Sequence, residues 1–199
     1  MSAPENKKDL SNGWESRAHV FIANRNLAMG ISIAENWASS FAAGQEILDV
    51  GCGFGGPYTQ SLLDRGLQVY GVDASNTLLQ EHRKRFPAVP TRCEAAETSN
   101  FFNKKFQGIL SVGLIFLLPT KDQLTLLENM ASALNQNGKL MFTAPWQVCS
   151  WNDLLTGRKS ASLGRDRYRS TLANHGLALV NEYTDEGENH YYSFEKNND

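Results

Sequence analysis

Cysteine is scarce in this chain: three in 199 residues, at positions 52, 93 and 149, with no spacing that a zinc site or a disulfide framework would use. No sign of charge dominates either. Nineteen Lys and Arg stand against 21 Asp and Glu, a net charge of −2, which gives no basic footprint for nucleic acid. No apolar run approaches the ~20 residues of a membrane-spanning helix. The opening Met-Ser-Ala-Pro-Glu-Asn-Lys-Lys-Asp is polar and lacks the apolar centre of a signal peptide. No internal repeat is visible. These absences point to a cytoplasmic, reduced protein with no nucleic-acid or membrane partner, a monomer or a homodimer. The length suits one domain with a sizeable core.

What is present is an alternation of strand and helix signals that starts at Glu46. Strands are expected near 46–50, 68–73, 90–93, 107–112 and 138–144, with helices near 57–65, 76–86 and 120–135 between them. A further helix over 165–175 is closed by His175-Gly176. Strands over 177–184 and 190–195 follow, joined by the polar turn Asp185–Asn189. Ahead of the alternation lie two amphipathic helical patterns, Leu10–Asn24 and Met29–Phe41. The organisation read from this is a flexible end over 1–9, a helical lid over 10–45, an α/β core over 46–195 and a flexible end over 196–199. Alternating strands and helices imply a mostly parallel sheet covered on both faces. The short last connection can join only antiparallel strands.

Residues 47–56 carry the chemistry. They read Ile-Leu-Asp-Val-Gly-Cys-Gly-Phe-Gly-Gly, and Pro57 then opens a helix. Glycine removes the Cβ atoms that would hold a ligand off the backbone, and the helix start presents unpaired N–H groups. Gly51, Gly53 and Gly56 also satisfy the dinucleotide pattern G-x-G-x-x-G. Asp49 argues against a dinucleotide, because a carboxylate two residues before the first glycine repels a pyrophosphate. It does not repel a ligand that carries an ammonium and a sulfonium.

The order D-V-G-C-G-x-G resembles the first motif of class I S-adenosylmethionine (SAM)-dependent methyltransferases, and later segments agree with it in order and spacing. The resemblance implies a Rossmann-like seven-stranded sheet of order 3-2-1-4-5-7-6 with strand 7 antiparallel. It implies SAM as cofactor, with S-adenosylhomocysteine as product. The loop from Gly51 through Cys52 and Gly53 to Gly55 would receive the methionine part, with Asp49 near its ammonium, directly or through water. Asp73, with Ala74 beside it, occupies the place of the acid that accepts the ribose hydroxyls, and Ser75 suits the cap of the next helix. Ala96 and Glu97 fall where the family contacts adenine, and Glu94 competes for the same role. Gly113 and Leu114 would line the methyl-transfer side. The Cys52 thiol is read as packing.

Ligands of open α/β sheets bind outside the carboxyl ends of the strands. Three segments converge there: 113–118, the stretch from Ala144 past Trp146 and Trp151 to Arg158, and the turn 185–190. His190 is the candidate general base, since its ordinary pKa lies near neutrality. Trp14, Phe21 and Arg25 are candidates for the lid. Arg158 reads as a solvated charge, and of Tyr191 and Tyr192 at least one should be core. The Asn/Asp-Pro-Pro motif of exocyclic-amine methyltransferases is missing after the fourth strand, as are a metal-binding acid there and the paired-glutamate loop of protein arginine methyltransferases. The reading is therefore a methyltransferase that acts on oxygen, nitrogen or sulfur of a small molecule. A non-catalytic SAM-binding regulatory or partner-binding protein is the alternative. A nicotinamide-dependent oxidoreductase is a third reading, opposed by Asp49 and the terminal hairpin.

Overall fold

The computed structural model describes residues 9–26 and 28–198. Nearly all of the expected N-terminal tail, residues 1–8, and the last residue of the C-terminal tail lie outside it. The elements are α1 (Ala18–Asn24), α2 (Ile31–Ala38), β1 (Glu46–Val50), α3 (Pro57–Asp64), β2 (Gln68–Asp73), α4 (Asn76–Arg85), β3 (Thr91–Cys93) and β4 (Phe106–Ser111). Then come α5 (Thr120–Ala133), β5 (Leu134–Thr143), β6 (Val148–Asn152), β7 (Lys159–Leu163), α6 (Arg165–Ala173), β8 (Leu177–Thr184) and β9 (His190–Lys196).

Seven strands form one sheet in the order β3-β2-β1-β4-β5-β9-β8. With β6 and β7 set aside in their own two-stranded sheet, this is the expected 3-2-1-4-5-7-6 order. β1 pairs in parallel with β2 and β4, and β4 with β5, whereas β9 runs antiparallel between β5 and β8. The central strand is buried on both faces, as parallel strands are: Ile47, Leu48 and Val50 have no exposed surface. Leu126, Leu127 and Met130 of α5 pack on one face of the sheet. Trp37 of α2 and Leu62 of α3 belong to a second apolar cluster with Ile47 and Leu110. Each such fully buried side chain contributes about 1.5–3 kcal/mol.

Three boundaries differ from expectation. The first helical pattern is interrupted: Asn12 and Gly13 take positive φ (52° and 92°), so residues up to Trp14 form an irregular strap and the α-helix begins at Ala18. β5 starts at Leu134, directly after α5. Asn137 there has a φ of 57°, and the pairing with β4 shifts register. The largest difference is the β6–β7 hairpin, where a loop was expected. Gln123 Nε2 of α5 donates to the Ala161 carbonyl at 2.8 Å, and the Leu163 N–H donates to the Tyr168 hydroxyl at 3.0 Å. The anchors lie on α5 and α6, outside the hairpin, so no pattern within it announces them.

Candidate active site

Three parallel strands end at one edge of the sheet, and their following loops build one wall. After β1 the chain turns through Gly51 and Gly53, both at positive φ (77° and 55°), a region that costs most residues strain and glycine little. The Gly53 N–H donates to Asp73 Oδ2 at 2.9 Å, and the Ser75 N–H donates to Asp73 Oδ1 at 2.8 Å. The carboxyl at the end of β2 is thus fixed by backbone donors against the glycine loop. Ser75 caps α4, its Oγ accepting from the Leu78 N–H at 3.2 Å.

A cavity of about 260 Å³ opens over this loop. Gly51, Gly53, Asp73, Ala74, Ala96, Glu97, Gly113 and Leu114 all line it, so eight of the eleven residues expected at the cofactor site come together here. Glu97 rather than Glu94 reaches the cavity. The Glu94 carboxylate instead accepts from Ser99 Oγ at 2.6 Å.

Asp49, Cys52 and Gly55 do not line the cavity. Cys52 turns its thiol beneath β2, where a Cβ on Gly71 would stand 2.8 Å from its sulfur. Gly55 lets the Phe86 ring approach: an added Cβ would meet it at 2.5 Å. Asp49 lies buried behind the loop. Thr59 Oγ1 donates to Asp49 Oδ2 at 3.3 Å and lies 3.4 Å from His82 Nε2. With the single Thr59 proton directed at Asp49, His82 Nε2–H is the donor to Thr59. Sequence reasoning missed both partners, whose only signal is one position in each of two helices.

Burial disfavours the charged forms here. It pushes the Asp49 carboxyl up to about 7; the Thr59 bond opposes the rise and the charge of Asp73 adds to it. It lifts Asp73 to about 6, against the N–H bonds from Ser75 and Gly53. Burial, with Arg85 and Arg83 nearby, lowers His82 to about 4, so the ring is neutral at pH 7.

The N-terminal strap closes the cavity. Ser11, Asn12, Trp14, Phe21 and Arg25 line it, so all three lid candidates face it. Glu15 fastens the strap to α4 by accepting from Ser75 Oγ at 2.5 Å and Thr77 Oγ1 at 2.6 Å. Asn12 Nδ2 donates to the Leu117 carbonyl at 2.6 Å. Arg158 is not a merely solvated charge: it donates to Asn12 Oδ1 at 3.0 Å and pairs with Asp9 at 3.6 Å. The hairpin that carries it therefore also holds the strap.

A second cavity, about 460 Å³, adjoins the first. Phe116, Thr143 and Asn189 line both. Trp146, Trp151 and His190 line the second alone, so the three segments expected to converge do so. The β5–β9 register explains His190: Thr143 pairs with Tyr191, and an antiparallel strand begins where its parallel neighbours end. His190 Nε2 lies 3.0 Å from Glu182 Oε1, and its ring packs edge-on against Tyr192 at 4.6 Å. Arg165 donates to both oxygens of Glu182 at 2.6–2.9 Å. This bidentate bond is the main reason the Glu182 carboxyl sits below its ordinary pKa. Tyr191 and Tyr192 are both fully buried, so both are core.

Residues 47–138 match the family model described as a methyltransferase domain. That match runs from β1 into β5, the part of the core that carries the glycine loop, Asp73 and Gly113. Solved structures extend the likeness of fold across the whole chain. The 1,6-didemethyltoxoflavin N1-methyltransferase of Burkholderia thailandensis superposes with a TM-score of 0.75 at 14% identity, over 100% of this chain and 92% of that one. For the CcbJ methyltransferase of Streptomyces caelestis the values are 0.74 and 15%, over 94% and 98%. For a TehB-like SAM-dependent methyltransferase of Corynebacterium glutamicum they are 0.66 and 19%, over 94% and 98%. At such identities the likeness is one of fold. No curated protein matches the chain. Among the described residues no helix is long and apolar enough to cross a membrane.

Proposed function

We propose that this protein transfers a methyl group from SAM to an oxygen, nitrogen or sulfur atom of a small molecule. The observation that carries the reading is the continuity of two unlike cavities at Phe116, Thr143 and Asn189. One has glycine backbone and acids for a polar cofactor. The other has aromatic walls and a histidine for an acceptor. The residues suit SAM: Gly113 is so open that an added Cβ would meet no atom within 4 Å, and Asp73 already holds a geometry that accepts two hydroxyls.

In this reading Asp73 accepts the ribose hydroxyls, and Glu97 with the Ala96 backbone meets the adenine. The Gly51–Gly53 loop and Asp49 hold the methionine part, Asp49 through water because it lies behind the wall. Bound SAM supplies an electrophilic methyl on a sulfonium that is its own leaving group. The protein then has mainly to align a nucleophile with that methyl. Glu182, ionised and fixed by Arg165, holds the Nε2–H tautomer of His190. That leaves Nδ1 as the nitrogen able to accept a proton from the acceptor.

The test joins binding to turnover. SAM and S-adenosylhomocysteine should each raise the melting temperature, because a ligand selective for the folded state stabilises it, and NAD should not. Methyl-labelled SAM mixed with metabolite extracts should then yield a labelled small molecule. No thermal shift and no calorimetric heat at millimolar ligand would overturn the cofactor assignment. Binding without turnover in any extract would favour a regulatory SAM-binding protein.

A further inference from the structure

The second cavity is lined in a way that selects among acceptors. Resting on the function proposed above, and on the exocyclic-amine motif missing after β4, we propose that its occupant is a flat compound with an amine nitrogen inside its ring and no anionic group, and that the methyl goes to that ring nitrogen.

Flatness follows from the walls. Phe116 and Trp151 lie against each other with centroids 5.5 Å apart, and Trp146 lines the same space with 57% of its surface exposed. Exposed aromatic surface beside a cavity gains from a stacked ring and gains little from a flexible polar chain. The volume of about 460 Å³ suits a compound of one or two rings.

The charge pattern excludes anions. Among the residues that line the cavity, Glu188 is the one acid, and neither Lys nor Arg is among them. Behind His190 stands a second carboxylate, Glu182, and the nearby Arg165 is already held by both its oxygens. A substrate carboxylate or phosphate would find no Lys or Arg to accept it and one acid to repel it.

The same pattern chooses the atom. When a neutral nitrogen is methylated, its lone pair forms the new N–C bond while the C–S bond breaks with its electrons staying on sulfur. Positive charge grows on the nitrogen until its proton leaves for His190 Nδ1. Glu188 and the aromatic faces stabilise that charge. A phenol or thiol must instead reach the site as an anion, or become one there, and no Lys or Arg lining this cavity supports it.

The test uses three probes on one nearly planar bicyclic frame: indoline, with its amine nitrogen in the ring, 5-indanol and indane-5-carboxylate. Calorimetry first establishes S-adenosylhomocysteine binding, then titrates each probe into that complex. The amine should bind at least ten-fold more tightly than the carboxylate and more tightly than the hydroxyl compound. Trp151→Ala should weaken the amine ten-fold or more while leaving S-adenosylhomocysteine affinity unchanged. Glu188→Gln, a change at an exposed turn, should narrow the gap between amine and carboxylate. A carboxylate or hydroxyl probe that binds as tightly as the amine overturns the proposal, and so does binding of none of the three. Failure of S-adenosylhomocysteine itself to bind overturns the functional reading, and this proposal with it.

Discussion

On the side proposed for the cofactor, the wall is mostly backbone. Gly51 and Gly53 hold it by positive φ, and Asp73 is fixed by two main-chain N–H groups. On the acceptor side the wall is side chains: Trp146 and Trp151 near the β6–β7 hairpin, Phe116 after β4, and His190 at the start of β9. Backbone geometry binds a shape that does not change between substrates. Side chains on a hairpin can be exchanged without disturbing the sheet. The division separates what the fold requires from what a particular acceptor requires.

Substitutions on the two sides should therefore have separable effects. The largest belongs to His190. His190→Ala should lower turnover by roughly 10²–10⁴-fold, the usual range for general acid–base catalysis, with SAM affinity nearly unchanged. Steady-state rates beside calorimetric affinities check this, and equal rates for variant and wild type would remove His190 from the mechanism. Asp73→Ala should show the reverse: SAM weakened by about 2–3 kcal/mol, the scale of hydrogen bonds to a charged group, while the rate at saturating SAM falls much less.

The two raised acids sharpen the comparison through pH. Asp49 and Asp73, at about 7 and about 6, lie above the ordinary 3.8. Folded, the chain holds more protons than unfolded between about pH 4 and 7. The stability these acids contribute is therefore full below about pH 4 and is lost progressively as pH rises, until the loss is complete above about 6 for Asp73 and about 7 for Asp49. Asp49→Asn should accordingly raise the melting temperature relative to wild type by more at pH 8 than at pH 5. A bound ammonium favours the Asp49 carboxylate, so SAM binding near pH 6.5 should release up to about one proton. Calorimetric heats that do not vary with the ionisation enthalpy of the buffer would contradict this. Acceptor-side variants should leave the proton release untouched.

The smallest effect is expected at Cys52. Its thiol packs under β2 rather than facing the cavity, so Cys52→Ala should cost about 1 kcal/mol of stability, in the ordinary range for a small core change, with turnover intact. A loss of activity in a folded Cys52→Ala protein would contradict the packing role.

The same division explains what could be read in the sequence. Glycines, an acid at a strand end and a capping serine act within a few residues, so Gly51, Asp73 and Ser75 announce themselves. Alternation of apolar segments revealed the strand order once the family resemblance was added. The hairpin did not show, because Val148, Cys149 and Ser150 are exposed and give no apolar rhythm. Its partners Gln123 and Tyr168 lie on other elements. The support of Asp49 by Thr59 and His82 was hidden for the same reason. The strap bend at Asn12 was within reach, since Asn-Gly is a turn signal, but the amphipathic pattern on either side of it suggested a continuous helix.

The strap has a consequence for timing. It roofs the cofactor cavity and is tied down at three separate places, to α4 by Glu15, to the Leu117 carbonyl by Asn12, and to the hairpin by Arg158. Release of spent cofactor is then expected to wait for those ties to open, and openings of this kind run on microsecond-to-millisecond or slower scales. An aligned methyl transfer can outpace them. Rapid mixing should then show a burst of one product per enzyme followed by a slower steady rate. Arg158→Ala should speed that second phase and leave the burst as it was.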